Sequence, residues 1–177
     1  MAWINSVFVL VYMALVLYGA WSDARTLRIP NWVSLSLLAA FFPAVLTAQI
    51  GLEAIAWHLA AGVVVLIGGI VLFAFGLFGG GDAKLMTGVA LWLGWDQMLW
   101  LLAVIVLVGG ILSILVILLR KGLGIWPQWL VQSAKGLFEP NAAVPYGIAI
   151  AAGALILLPR LDTLPPVWLD VFDWVMG

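Results

Sequence analysis

The sequence predicts an all-α, polytopic membrane protein with about six transmembrane helices and both termini on the outer side. Three observations lead there. Of 177 residues, 66% are apolar and 8% are charged, with a mean hydropathy of +1.23. An ordinary soluble domain carries about 25% charged residues, so a water-soluble globular fold is excluded. The apolar residues fall into six stretches separated by short polar breaks, and the basic residues gather in alternate breaks. The seven Lys/Arg against eight Asp/Glu give a net charge of −1, which provides no basic face for a nucleic acid. The chain has no cysteine, which excludes disulfides, thiolate metal sites and thiol catalysis.

The first apolar stretch, about residues 3–21, runs into Ser22-Asp23-Ala24-Arg25-Thr26-Leu27-Arg28-Ile29-Pro30-Asn31. It lacks the basic flank of a cleaved signal peptide and reads as a retained helix. Pro30 prevents one continuous helix through the break, and Asn31 is placed to cap a second helix over about residues 32–48. A third stretch, about residues 54–78, ends at Gly79-Gly80-Gly81-Asp82-Ala83-Lys84. The fourth, about residues 85–95, is too short to cross a hydrocarbon core of about 30 Å at about 1.5 Å per residue. Either its helix begins inside the glycine segment or that end sits in thinned, watery membrane. Both options put Asp82 at the membrane surface or just within it.

The fifth stretch covers about residues 98–119, and the polar run 120–141 has room for a surface helix. A sixth, about residues 142–158, ends at Pro159-Arg160. The tail, residues 159–177, carries Asp170 and Asp173 three apart and is too short and acidic to span, so an interfacial amphipathic helix is expected. No repeat or linker divides the chain, which reads as one domain over 1–177. Six spans put residues 22–31, 79–84 and 120–141 on one side. Arg25, Arg28, Lys84, Arg120, Lys121 and Lys135 lie there, and Arg160 lies opposite. The positive-inside rule makes the basic side cytoplasmic.

This topology brings Asp23 and Asp82 to one membrane face. An acid near the hydrocarbon boundary is costly and is expected to face the protein interior or a watery cavity. Two carboxyls within reach of one another do not both ionise readily, so they share a proton. Such a pair supports peptide hydrolysis. One carboxylate takes a proton from water, the other carboxyl donates to the amide carbonyl, and neither metal nor cofactor is needed. Gly79 and Gly81 would let an extended substrate bring its backbone close. The alternative for the three glycines is a flexible hinge.

The segment from Asp23 to Asn31 resembles the first-aspartate motif of type IV prepilin peptidases, and Gly79-Gly80-Gly81-Asp82-Ala83-Lys84-Leu85 resembles their GxGD motif. Pro145-Tyr146-Gly147, followed by Ile148-Ala149-Ile150, is similar to the family's third signature near the last helix. The resemblance spans about residues 3–158. It implies that Asp23 and Asp82 form a catalytic dyad in a multi-pass protein of the bacterial inner membrane. The substrates it implies are prepilins or pseudopilins, cut at a short basic leader on the cytoplasmic face. The long bifunctional members carry an N-terminal region with paired CxxC motifs. Here no cysteine is present, so zinc binding and methyl transfer are not expected, and the short form resembles the peptidases of Flp (tight-adherence) pilus systems. The presenilin-type GxGD group pairs its motif with Tyr-Asp, whereas Asp23 follows Ser22.

Other polar residues have plainer readings. Lys84 could bind substrate backbone or anchor its helix end at anionic headgroups, with membrane lipid as the partner, and Arg25 and Arg28 read as lipid-facing. His58 reads as a local polar contact about one turn from Glu53, with no partner acid at its depth. Asp96 and Asp162 read as solvated outer charges. Trp3, Trp21, Trp32, Trp95 and Trp100 mark the interfaces, and Gly62, Gly68, Gly69 and Gly76 are expected to allow close helix packing. Pro145-Tyr146-Gly147 either lines a substrate groove or starts the last helix. A rival reading is a small proton- or ion-coupled transporter using the same aspartates, although no inverted repeat is visible and both acids lie at one face.

Overall fold

The computed structural model describes residues 2–121 and 143–163. The predicted surface helix beyond Lys121 and the tail aspartates Asp170 and Asp173 lie outside the described residues. The helices are α1 (Ala2–Thr26), α2 (Asn31–Ala48), α3 (Leu52–Ala74), α4 (Gly80–Leu93), α5 (Trp95–Lys121) and α6 (Gly147–Ile156), followed by a 3-10 turn over Leu158–Arg160. The fold is all-helical and polytopic. Among the described residues four helices, α1, α2, α3 and α5, are long and apolar enough to cross a membrane, and α6 is a shorter apolar helix. Large apolar side chains such as Leu46, Val106, Leu107 and Ile111 stand exposed on their outer faces. That is the inverse of a soluble fold and suits contact with lipid tails. Trp3, Trp21, Trp32, Trp95 and Trp100 are also exposed, as expected for interface anchors.

The short α4 is the centre of the bundle. Its 14 residues span about 21 Å, and it touches each of the other five helices. Leu85, Val89, Ala90 and Trp92 are fully buried, so this helix presents little surface to lipid and needs no full membrane length. Small residues make the close approach possible. A Cβ on Gly69 would lie 2.8 Å from that of Ala83, and one on Gly62 would lie 3.4 Å from Leu91. Gly68 faces open space and Gly76 sits in the turn after α3, so of the four glycines expected to pack helices only Gly62 and Gly69 do. Trp92 donates its indole N–H to the Leu37 carbonyl at 2.9 Å and stacks on Tyr12 with ring centroids 4.9 Å apart.

Two helix ends differ from the sequence reading. α1 runs on to Thr26, which puts Asp23 in its last turn, and α4 starts at Gly80, which puts Asp82 in its first. Asn31 does not cap α2. Pro30 holds the cap position in extended conformation, without a side-chain cap bond. The Asn31 Oδ1 instead accepts a hydrogen bond from Lys84 Nζ at 2.9 Å.

The bundle therefore has two polar ends. One gathers the end of α1, the start of α4 and the start of α6. Arg25, Arg28, Lys84, Arg120 and Lys121 lie near it. The other gathers the start of α3, the end of α4 and the turn after α6. There His58 is 2% exposed and its Nε2 lies 3.0 Å from the Asp162 carboxylate. The expected local contact near Glu53 is thus replaced by a partner acid 104 residues away. Asp162 is 57% exposed, as expected for an outer charge, and is at the same time the partner of His58.

Candidate functional site

The segment that follows Asp23 is held by hydroxyls. Ser22 Oγ donates to the Arg28 carbonyl at 2.8 Å, and Thr26 Oγ1 donates to the Ser22 carbonyl at 2.9 Å. These bonds close a turn around Leu27, whose φ of +53° is unusual for a side chain bulkier than Gly or Asn. The turn brings Ile29 against Gly81, where an added Cβ would lie 3.2 Å from the Ile29 Cβ and 3.3 Å from its backbone nitrogen. Gly81 thus lets the first-aspartate loop lie directly on the start of α4. A Cβ on Gly79 would lie 2.5 Å from Asp82 Oδ2, so the glycine at that position leaves room for the carboxylate itself. Clearing the way for a substrate backbone is not needed to explain either glycine.

Asp23 is 5% exposed and Asp82 is 9% exposed. Both line the same two cavities, one of about 380 Å³ and one of about 250 Å³. The cavities share Asp23, Leu27, Gly79 and Asp82, so they meet at the two acids. The larger is walled by Phe78, Val144 and Tyr146, the smaller by Arg28, Ile29, Gly80 and Gly81. Arg28 therefore faces the site as well as the boundary, which the lipid-facing reading did not anticipate.

The two carboxylates are held differently. Asp23 Oδ2 accepts a 2.8 Å hydrogen bond from the backbone N–H of Gly147, the first residue of α6. A Cβ on Gly147 would lie 2.9 Å from the Asp23 Cβ, so glycine is required for that approach. Asp82 Oδ1 is buried with no hydrogen-bond partner among the described residues. A buried carboxylate oxygen without a partner costs stability.

The other predicted site residues divide. Tyr146 lines the larger cavity, with its hydroxyl 3.3 Å from Ser113 Oγ and its ring 5.6 Å from that of Phe78. Pro145 lines neither cavity; its carbonyl accepts from Ile148 N–H at 3.3 Å, so it starts α6. Tyr146 thus lines a cavity beside the aspartates, while Pro145 and Gly147 form the start of α6. Lys84 does not line either cavity. It is on a separate, largely apolar cavity between α2, α3 and α4, bonded to Asn31. Sequence reasoning missed Leu27, Ile29 and Phe78. No local signal marks them, since leucine is a poor predictor of positive φ and the Ile29–Gly81 contact joins distant segments. No group of three or more His, Asp or Glu side chains able to hold a metal ion lies among the described residues.

Chemically, two carboxyls lining the same cavities place two acid–base groups on one space that a water or a peptide carbonyl can enter. The profile of the Type IV leader peptidase family matches residues 10–114, a stretch that includes both aspartates. Neither a curated protein nor a solved structure matches the chain.

Proposed function

The chain belongs to the Type IV leader peptidase family, and we propose that it is an aspartic endopeptidase in which Asp23 and Asp82 act as one catalytic pair. The observation that carries this reading is that both carboxylates line the same two cavities. The substrates are prepilin- or pseudopilin-like chains, with a short basic leader ahead of an apolar helix. Cleavage falls at the cytoplasmic boundary of the bacterial inner membrane, supported by the basic residues gathered at the aspartate end. The cysteine-free sequence favours peptide cleavage of the kind found with Flp pili. Family membership weighs against the transport alternative.

The reaction follows from one shared proton. A substrate lies extended across the two cavities with its scissile carbonyl at the pair and a water beside it. The ionised carboxylate removes a proton from the water as its oxygen bonds to the carbonyl carbon. The protonated carboxyl donates to the carbonyl oxygen, giving a neutral tetrahedral diol. On collapse, the C–N bond breaks and a diol hydroxyl returns its proton to one carboxylate. The departing nitrogen takes a proton from the other. The pair is left with one proton, as it began. Gly147 N–H holds Asp23 in place through the cycle, and Asp82 lines the same two cavities.

Because both fully ionised and fully protonated pairs are inactive, cleavage should show a bell-shaped dependence on pH. The direct test is co-expression with a prepilin. Asp23→Asn and Asp82→Asn should each leave the leader attached while the protein still accumulates in membranes. Normal leader removal by either variant would refute the pair.

A further inference from the structure

The far end of the bundle holds a buried histidine that the proposed reaction does not use. His58 Nδ1 lies 2.7 Å from the Leu91 carbonyl and Nε2 lies 3.0 Å from an Asp162 carboxylate oxygen. The ring packs on Phe41, with centroids 5.5 Å apart, and fills the space where a Cβ on Gly94 would sit 2.9 Å away. Gly94 has a φ of +77°, so both its conformation and its neighbour exclude a side chain. The imidazole is thus fixed in orientation by three helices and the turn after α6.

This geometry sets a requirement for protons. A carbonyl oxygen only accepts, so Nδ1 carries a hydrogen. Nε2 then faces a carboxylate and needs a second proton between them, carried either by the ring or by the acid. Without it, a nitrogen lone pair opposes a carboxylate oxygen at hydrogen-bond distance. The other charged groups at this end are Asp96 on α5 and Arg160 on the turn, which line the same cavity of about 410 Å³, and Glu53 on α3 itself. Arg160 is bonded to Gln97 at 3.3 Å. α2 and α6 carry no charged residue, and those of α1 and α4 lie at the aspartate end.

We propose that His58 and Asp162 form a proton-dependent clasp, which fastens the segment after α6 to α3 and to the end of α4 and loosens when the shared proton is lost. It joins the two short helices of the bundle at the end remote from the aspartates. α4 carries Asp82 and α6 carries Gly147, the residue that holds Asp23, so both catalytic supports are anchored from behind. The clasp holds while that proton is present and opens when rising pH removes it. The inference does not depend on the peptidase reading, and its test uses no substrate.

His58 is the only histidine in the chain, and the chain has no cysteine, which makes both readouts clean. Nitrogen NMR of the full chain in lipid nanodiscs reports the ring directly from about pH 5 to about pH 8. The neutral ring should keep its hydrogen on Nδ1, and a neutral ring protonated at Nε2 with bare Nδ1 would overturn the clasp. The second readout is alkylation of Thr163→Cys, a position that is 1% exposed beside Asp162. It is compared with the same cysteine in an Asp162→Asn background. The side-chain amide introduced by Asp162→Asn donates to a bare Nε2, so that contact needs no shared proton, while thiol ionisation affects both proteins alike. The ratio of labelling rates, natural background over Asp162→Asn, should rise several-fold across this range. A ratio that stays flat would overturn the proposal.

Discussion

The two ends of the bundle each bury acidic or ionisable groups, yet they treat them in opposite ways. At the His58 end both ring nitrogens are matched, one by a carbonyl and the other by a carboxylate, and the ring lies against Gly94. At the Asp23–Asp82 end two like groups face the same cavities and Asp82 Oδ1 has no partner among the described residues. A buried ring with a partner on each nitrogen ties the elements that supply those partners together. Like groups brought together and left partly unsatisfied make a site that lowers its energy by taking in a water or a substrate. The contrast supports the proposal that chemistry belongs to one end and anchoring to the other.

Variants can break that contrast in order of expected size. The largest effect belongs to the carboxylates, where Asp23→Asn or Asp82→Asn should lower the rate of leader cleavage by at least about 100-fold, measured on membranes containing equal amounts of protein. Next comes Gly147→Val. Its side chain would overlap Asp23, and a displacement of the carboxylate by about 1 Å should cost on the order of 100-fold in rate. Gly68→Ala, which meets open space, should leave the same assay unchanged.

At the opposite end the loss should fall on stability. Gly94→Ala meets both the positive φ and the His58 ring, and should destabilise the protein by about 1–3 kcal/mol, read as a lower thermal midpoint in detergent. Any fall in cleavage should follow the loss of folded protein. The smallest effect is expected at Lys84. Lys84→Ala removes one exposed hydrogen bond to Asn31 outside both aspartate cavities, and should change stability by no more than about 0.5 kcal/mol, with cleavage close to that of the parent.

Much of the candidate catalytic end is legible in the sequence because its signals are local. Hydropathy marks the helices, and a charged residue at the edge of an apolar stretch stands out. Asp23 and Asp82 are found that way. What the sequence does not disclose are contacts across the bundle. The Gly147 N–H that holds Asp23 comes from 124 residues away, and the partner of His58 lies on a turn whose charge looks like ordinary surface. Asn31 has the residue type of a helix cap but sits one position too late, after Pro30 has taken the role. Gly79 and Gly81 are visible as glycines, yet what they make room for, a carboxylate and the Ile29 loop, depends on packing that no local pattern encodes. The shortness of α4 is legible, whereas its burial at the centre, which makes that length sufficient, is a property of the assembled helices.

The central claim is that the two aspartates work as one unit. It is tested most directly by the cleavage rate of a prepilin in reconstituted vesicles for Asp23→Asn, Asp82→Asn and the double variant. Groups that act together lose their effect together, so each single variant should fall to the same residual rate as the double. A single variant that keeps substantial cleavage, lost only when the second aspartate is also replaced, would contradict the account.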